Sequence, residues 1–124
     1  MSGKIDGVLL RCSLLAAQTN VIGDKKTLQI VGQNGNSAFS LTIVDFKGVG
    51  TYPVTSPNLA MYIANSPVLQ NTFMAIDEGN IKITAYTDQK IKGTFEFKGY
   101  NQNGNSKTAV SITDGTFDMP YSNE

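Results

Sequence analysis

Ile81-Lys82-Ile83-Thr84-Ala85-Tyr86, a break at Thr87-Asp88-Gln89-Lys90, and then Ile91-Lys92-Gly93-Thr94-Phe95-Glu96-Phe97-Lys98 decide the fold class of this 124-residue chain. In the first run Ile81, Ile83 and Ala85 alternate with Lys82, Thr84 and Tyr86. In the second, Ile91, Gly93, Phe95 and Phe97 alternate with Lys92, Thr94, Glu96 and Lys98. A period of two with one apolar face is the signature of a half-buried strand.

The pattern continues toward the C-terminus. A polar loop is expected over residues 100–107, after which Val110 and Ile112 point inward. Phe117 has the opposite parity to Ile112, so a bulge at Asp114-Gly115 is needed to return its ring to the core. Ile81, Ile83, Phe95, Phe97, Val110, Ile112 and Phe117 are therefore expected in one core. Gly115, as the bulge residue, should tolerate an added methyl less well than Gly93, which keeps its strand's alternation.

One tripeptide recurs: Gly50-Thr51-Tyr52, Gly93-Thr94-Phe95 and Gly115-Thr116-Phe117. Glycine inside a strand pattern marks a bend or a close approach, and the aromatic that follows suits a half-buried pleated face.

Working outward, residues 8–15 alternate with Val8, Leu10, Cys12 and Leu14 on one face, after an Asp6-Gly7 turn. Residues 16–26 read as a connector. Residues 27–32 and 37–44 read as a hairpin, with Leu28, Ile30, Phe39, Leu41 and Ile43 inward and Gln33-Asn34-Gly35-Asn36 between them. A short strand is expected over 49–54. Residues 58–71 read two ways: Leu59, Met61 and Ile63 alternate like a strand, with a helical turn as the competing reading before Ser66-Pro67. A further short strand at 72–76 ends in an Asp77-Glu78-Gly79 turn. Gln-Asn-Gly-Asn-Ser occurs at 33–37 and 102–106, a repetition that turn chemistry explains better than duplication. The sum is one all-β domain over residues 1–124: an antiparallel β-sandwich or flattened barrel of eight or nine short strands.

Composition limits the chemistry. Ten basic residues balance ten acidic ones, for a net charge of +0, which gives no electrostatic basis for binding nucleic acid. No apolar run is long enough for a membrane-spanning helix. Histidine is absent and Cys12 is the single cysteine, so neither the commonest general base nor an internal disulfide is available. Cys12 reads as a structural thiol on an apolar face. Asp77, Glu78, Asp88, Asp114 and Asp118 lack calcium-loop spacing, and Asp77, Asp88 and Asp114 fall in turn contexts, so no metal or cofactor is expected and no catalytic residue is assigned. Lys82, Lys92 and Lys98 with Glu96 read as a solvated mixed-charge face. For ligand binding the candidate rings are Tyr86, on the polar side of its strand, and Tyr100, at the start of a loop; Tyr52, Tyr62 and Tyr121 rank below them.

The stretches Gly79-Asn80-Ile81-Lys82-Ile83-Thr84-Ala85-Tyr86-Thr87-Asp88, Lys90-Ile91-Lys92-Gly93-Thr94-Phe95-Glu96-Phe97 and Val110-Ser111-Ile112-Thr113-Asp114-Gly115-Thr116-Phe117 resemble a family of small β-rich proteins of unknown function from Bacteroidota. Lys4-Ile5-Asp6-Gly7 and Gly50-Thr51-Tyr52 resemble that family's opening strand and mid-chain turn. The resemblance implies a lipoprotein-like location in the cell envelope, periplasm or outer-membrane surface, and no catalytic residues. Residues 1–7 carry no signal-peptide apolar core, and Val8-Leu9-Leu10-Arg11-Cys12 places Arg11 where a lipobox needs a small residue. The expected reading of that opening is a mature region restarted at Met1.

The expected role is a non-enzymatic binding or structural module with a protein or glycan partner. The alternative is a self-associating subunit of a phage, filament or secretion assembly, and a hydrolase working through Asp and Glu comes third.

Overall fold

Every strand expected from period-two alternation in the C-terminal third is present, and the three strands there are longer than their apolar patterns suggest. The computed structural model describes all residues except 36, 56, 65–71, 88, 104, 105, 121 and 124. At 22, 102, 103, 106–108, 122 and 123 it describes the backbone alone. Asp88, Tyr121 and the Ser66-Pro67 break thus lie outside the described residues.

The strands are β1 (Ser2–Ile5), β2 (Val8–Arg11), β3 (Leu14–Ile22), β4 (Lys25–Asn34), β5 (Ser37–Ile43), β6 (Gly50–Pro53), β7 (Leu59–Ile63), β8 (Thr72–Tyr86), β9 (Lys90–Asn103), β10 (Ser106–Pro120) and β11 (Ser122–Asn123), with no helix among the described residues. All belong to one sheet in the order β11-β3-β4-β5-β7-β8-β9-β10-β1-β2, with β6 pairing β8 beside that path. Every pairing is antiparallel except the short β11–β3 pair.

The sheet curls into a half-barrel. Its two ends approach each other because β10 runs on into β11, which pairs with β3. The concave side holds a single core of Leu28, Ile30, Phe39, Leu41, Ile43, Ile81, Ile83, Ile91, Phe95, Phe97, Ile112, Phe117 and Met119, with smaller neighbours. Phe39 of β5 meets Phe95 of β9 edge to face, with ring centroids 5.2 Å apart, so opposite walls touch across the interior. Six of the seven expected core residues are buried here, and Val110 packs at its margin.

The turns follow their local chemistry. Asp6 (φ 49) and Gly7 (φ 90) both take left-handed backbone between Ile5 and Val8, as a two-residue Asp-Gly hairpin requires. Asn34 pairs with Ser37, and Asn103 with Ser106, so both Gln-Asn-Gly-Asn-Ser segments occupy the same hairpin position.

Four expectations need correction. Residues 100–107 are not a loop: β9 continues to Asn103 and β10 starts at Ser106. Asp77-Glu78-Gly79 is not a turn but a bulge inside the 15-residue β8, between Ala75 and Gly79. The connector over 16–26 contains most of β3 and the start of β4. Ala17 and Thr19 hold the buried centre of the inward face of β3, while Leu15 and Val21 on that same face are 38% and 62% exposed, so the residues that reach the core are small or polar. The strand expected over 8–15 is two strands, broken at Cys12-Ser13, and its even face is only half buried at Leu10 and Cys12.

The predicted bulge in β10 falls between Ile112 and Gly115. Its left-handed residue, however, is Asp114 (φ 51) rather than Gly115. Gly115 is required for a different reason: a Cβ there would lie 2.5 Å from the Phe95 carbonyl oxygen and 2.6 Å from its ring. Reciprocally, a Cβ on Gly93 would collide with the Lys82 carbonyl oxygen and the Phe117 ring. Phe95 pairs with Gly115 and Phe117 with Gly93, so each aromatic covers the glycine of the other tripeptide.

Candidate functional site on the outer face

The same pairing that seats the glycines and rings inward turns the middle threonines outward. Thr51 pairs with Lys82, Lys82 with Thr94, Thr94 with Thr116, Thr116 with Ser2, and Ser2 with Arg11. All three tripeptide threonines therefore lie in one row crossing β6, β8, β9, β10, β1 and β2. Ser2 and Thr116 bring their hydroxyls to 3.3 Å. Neighbouring strands lie about 4.8 Å apart, so the six rungs span about 24 Å of the outer face.

A cavity of about 460 Å³ opens over four of these rungs. Its floor is the backbone of Phe95 and Gly115. Its walls are Thr51, Asn80, Lys82, Thr94, Glu96, Asp114 and Thr116, all solvent-exposed. A second recess of about 320 Å³ shares Asn80 and Glu96 and continues toward Glu78, Lys98 and Thr113. Together they form a trough.

Two bulges shape it. Gly79 of β8 pairs with Phe97 and Gly115 of β10 with Phe95, so the irregularities in β8 and β10 flank the same stretch of β9. Bulges bend a strand and redirect a side chain. Here the bent residue is Asp114, whose left-handed backbone is uncommon outside glycine but tolerated by Asp. Its carboxylate meets the Lys4 ammonium at 3.3 Å. Lys82 and Glu96 enter no ion pair among the described residues.

The two rings singled out from the sequence lie elsewhere. A register shift between Ile83 and Ala85 turns Tyr86 toward the interior, where it is half-buried. Its ring packs edge-on against Phe46 at 5.1 Å and its hydroxyl receives a hydrogen bond from the Lys26 ammonium at 3.2 Å. It borders a recess of about 240 Å³ with Lys90, Lys92 and Asp118, separate from the trough. Tyr100 donates its hydroxyl hydrogen to Glu78 Oε1 at 2.9 Å, and the Lys98 ammonium lies 5.7 Å from its ring centre. That hydrogen bond raises the Tyr100 pKa above the ordinary tyrosine value, with burial and the Glu78 charge adding to it. Tyr100 stands next to the second recess without lining it.

The remaining candidates divide by context. Cys12 is half-buried, and burial raises its pKa. Asp118 pairs with Lys90 at 3.1 Å. No group of three acidic or cysteine side chains among the described residues is placed to hold one metal ion. Lys82 and Glu96, read from sequence as part of a solvated face, are exposed and wall the trough. The sequence carried one signal for this, the repeated Gly-Thr-aromatic unit. Packing explains its glycine and its ring, while the common position of its threonine emerges only from the register.

Among the described residues, no helix is long and apolar enough to cross a membrane. No curated protein and no solved structure is significantly similar to the chain. Residues 1–119 match the family described as a domain of unknown function, DUF6252, and the chain belongs to that family.

Proposed function

We propose that this protein is a non-enzymatic binding module of the cell envelope in a Bacteroidota bacterium, and that the trough on the outer face of β6, β8, β9 and β10 is its ligand-contacting surface. The observation that carries this reading is the trough itself. Its volume falls in the range of ordinary ligand sites, and its walls converge hydroxyls, an amide, an ammonium and carboxylates on one space. The lining includes no histidine or cysteine, and its Asp114 carboxylate is already engaged by Lys4.

Co-sedimentation with envelope material isolated from such a bacterium tests the proposal. Wild-type protein should pellet with the material, and Thr94→Arg, which fills the trough without touching the core, should remain in the supernatant. Equal pelleting of the two proteins would remove the trough from the reading. Fractionation of producing cells tests the location.

A second reading, self-association, is favoured by one observation. Val8, Leu9, Leu14 and Leu15 are exposed apolar residues on β2 and β3, and β2 pairs only with β1 among the described residues. An open apolar edge is a template for pairing with another chain. Sedimentation velocity across a concentration series tests it.

A further inference from the structure

Resting on the binding reading, we infer that the trough takes a neutral, hydroxyl-rich glycan chain lying along the threonine row. The charge of the site points there first. Lys82 and Glu96 face the same space with opposite signs, and Asp114 is offset by Lys4 at 3.3 Å. No field of one sign exists to attract a polyanion or a polycation.

The backbone narrows the class further. The floor strand β9 is already paired on both sides, with β8 and with β10. A peptide laid in the trough finds no free N–H or C=O groups to add itself as a strand, which is how sheets usually bind extended peptides. The side chains of Thr51, Asn80, Lys82, Thr94, Glu96, Asp114 and Thr116 each end in a polar group, while their stems, Phe95 and Gly115 supply the apolar part of the surface.

A polyol fits what remains. Each threonine hydroxyl both donates and accepts, Asn80 offers both through its amide, Lys82 donates, and Glu96 accepts. Sugar hydroxyls have the same dual character and can pair with either kind of wall group. The rungs repeat about every 4.8 Å across the strands, comparable to the length of one sugar unit in an extended chain. Asp114 completes the wall. Its left-handed backbone places it at the trough wall, and its carboxylate is held there by Lys4.

Titration of isotope-labelled protein, read by amide chemical shifts, tests the assignment. The neutral probes are cellohexaose, maltohexaose and a mannohexaose. The contrasting probes are an alginate hexasaccharide and an uncharged Gly-Ser-Asn peptide. At least one neutral hexasaccharide should shift the amides of Thr51, Lys82, Thr94, Glu96 and Thr116 and leave β3 and β4 unmoved. The double variant Thr94→Val, Thr116→Val keeps shape and strand preference and should weaken that binding at least tenfold. Lys82→Met, on the same exposed face, serves as a second variant should the first fail to fold. Shifts from alginate or the peptide alone would overturn the glycan class and leave the binding face standing. Pelleting with envelope material but no shift from any neutral sugar would do the same. Silence in both experiments would overturn both readings, and undiminished sugar binding by the variants would overturn the role of the row.

Discussion

The three long strands β8, β9 and β10 and the three N-terminal strands β1, β2 and β3 belong to one sheet but obey different logic. In the first group, inward positions carry Ile81, Ile83, Phe95, Phe97, Ile112 and Phe117, all within the buried core. In the second, the large apolar residues Val8, Leu14 and Val21 are 70%, 66% and 62% exposed, while Gly3, Ala17 and Thr19 occupy the buried positions. The reason is space. The inward face of β1 lies beneath aromatic rings from elsewhere: a Cβ on Gly3 would lie 3.1 Å from the Phe39 ring and 3.4 Å from that of Phe95. Large side chains from β4, β5 and the C-terminal strands fill the interior, and β1 and β3 line it with small ones. Stability should therefore be concentrated in one group, and substitutions across the two groups test this.

Phe95→Ala carries the largest expected effect. Phe95 is 2% exposed and meets the rings of Phe39, Phe97 and Phe117. Its loss should cost about 3–5 kcal/mol in chemical denaturation. A loss below about 1 kcal/mol, far short of a buried aromatic's contribution, would mean that the core does not centre on this ring.

Next come the glycines beneath the rings. Gly93→Ala and Gly115→Ala should each cost about 1–3 kcal/mol by overpacking, because backbone oxygen as well as a ring blocks the methyl at both sites. Gly93→Ala should lose at least as much as Gly115→Ala, the reverse of the order that parity alone predicts. Thermal melts of the two variants decide between these orders, and a stabilised variant at either site would break the reciprocal covering.

How much of this was readable in the residues follows from the same contrast. Alternation marked the inward face of β9, and the parity change between Ile112 and Phe117 located the bulge. In β3 the buried positions are Ala17 and Thr19, while Leu15 and Val21 on the same face are exposed toward the strand ends, so hydrophobicity gives little contrast between its two faces. Tyr86 illustrates a second limit. Its parity placed it outside, and a register shift one residue earlier in β8 brought it in. The trough was the least legible part, since it depends on Thr51, Thr94 and Thr116 aligning across strands far apart in sequence. Register of that kind is set by turns, bulges and core packing together, not by local composition.

A subtler contrast lies at Tyr100, at the far end of the recess that continues the trough. Its pKa stands above the ordinary value of about 10, because the neutral phenol donates to Glu78 and the phenolate would face that carboxylate. A folded-state pKa raised above the unfolded one means that the contact supports the fold below the ordinary tyrosine value. That support disappears as pH climbs through the raised value. Glu78→Gln should bring the Tyr100 titration back down, as read by the ring carbon shifts of labelled tyrosine. An unchanged titration would disconnect the two side chains.

The smallest effects are expected where the N-terminal strands expose their apolar residues. Val8→Thr and Leu14→Thr keep β-branched or β-compatible side chains in β2 and β3 while removing apolar surface that is already in water. Each should change the stability of dilute protein by no more than about 0.5 kcal/mol, as for other surface positions. The same substitutions on a core strand, for example Ile83→Thr, should cost several times more, because Ile83 is 1% exposed and the hydroxyl would enter an apolar interior. Protein concentration adds a second axis. If β2 and β3 cover each other between copies, wild-type stability rises with concentration by mass action, and Val8→Thr with Leu14→Thr abolishes that rise without altering the dilute value. A concentration-independent melt for wild type removes self-association from consideration. A loss above about 1 kcal/mol in dilute Val8→Thr would show that β2 contributes to the core after all, erasing the contrast between the two groups of strands.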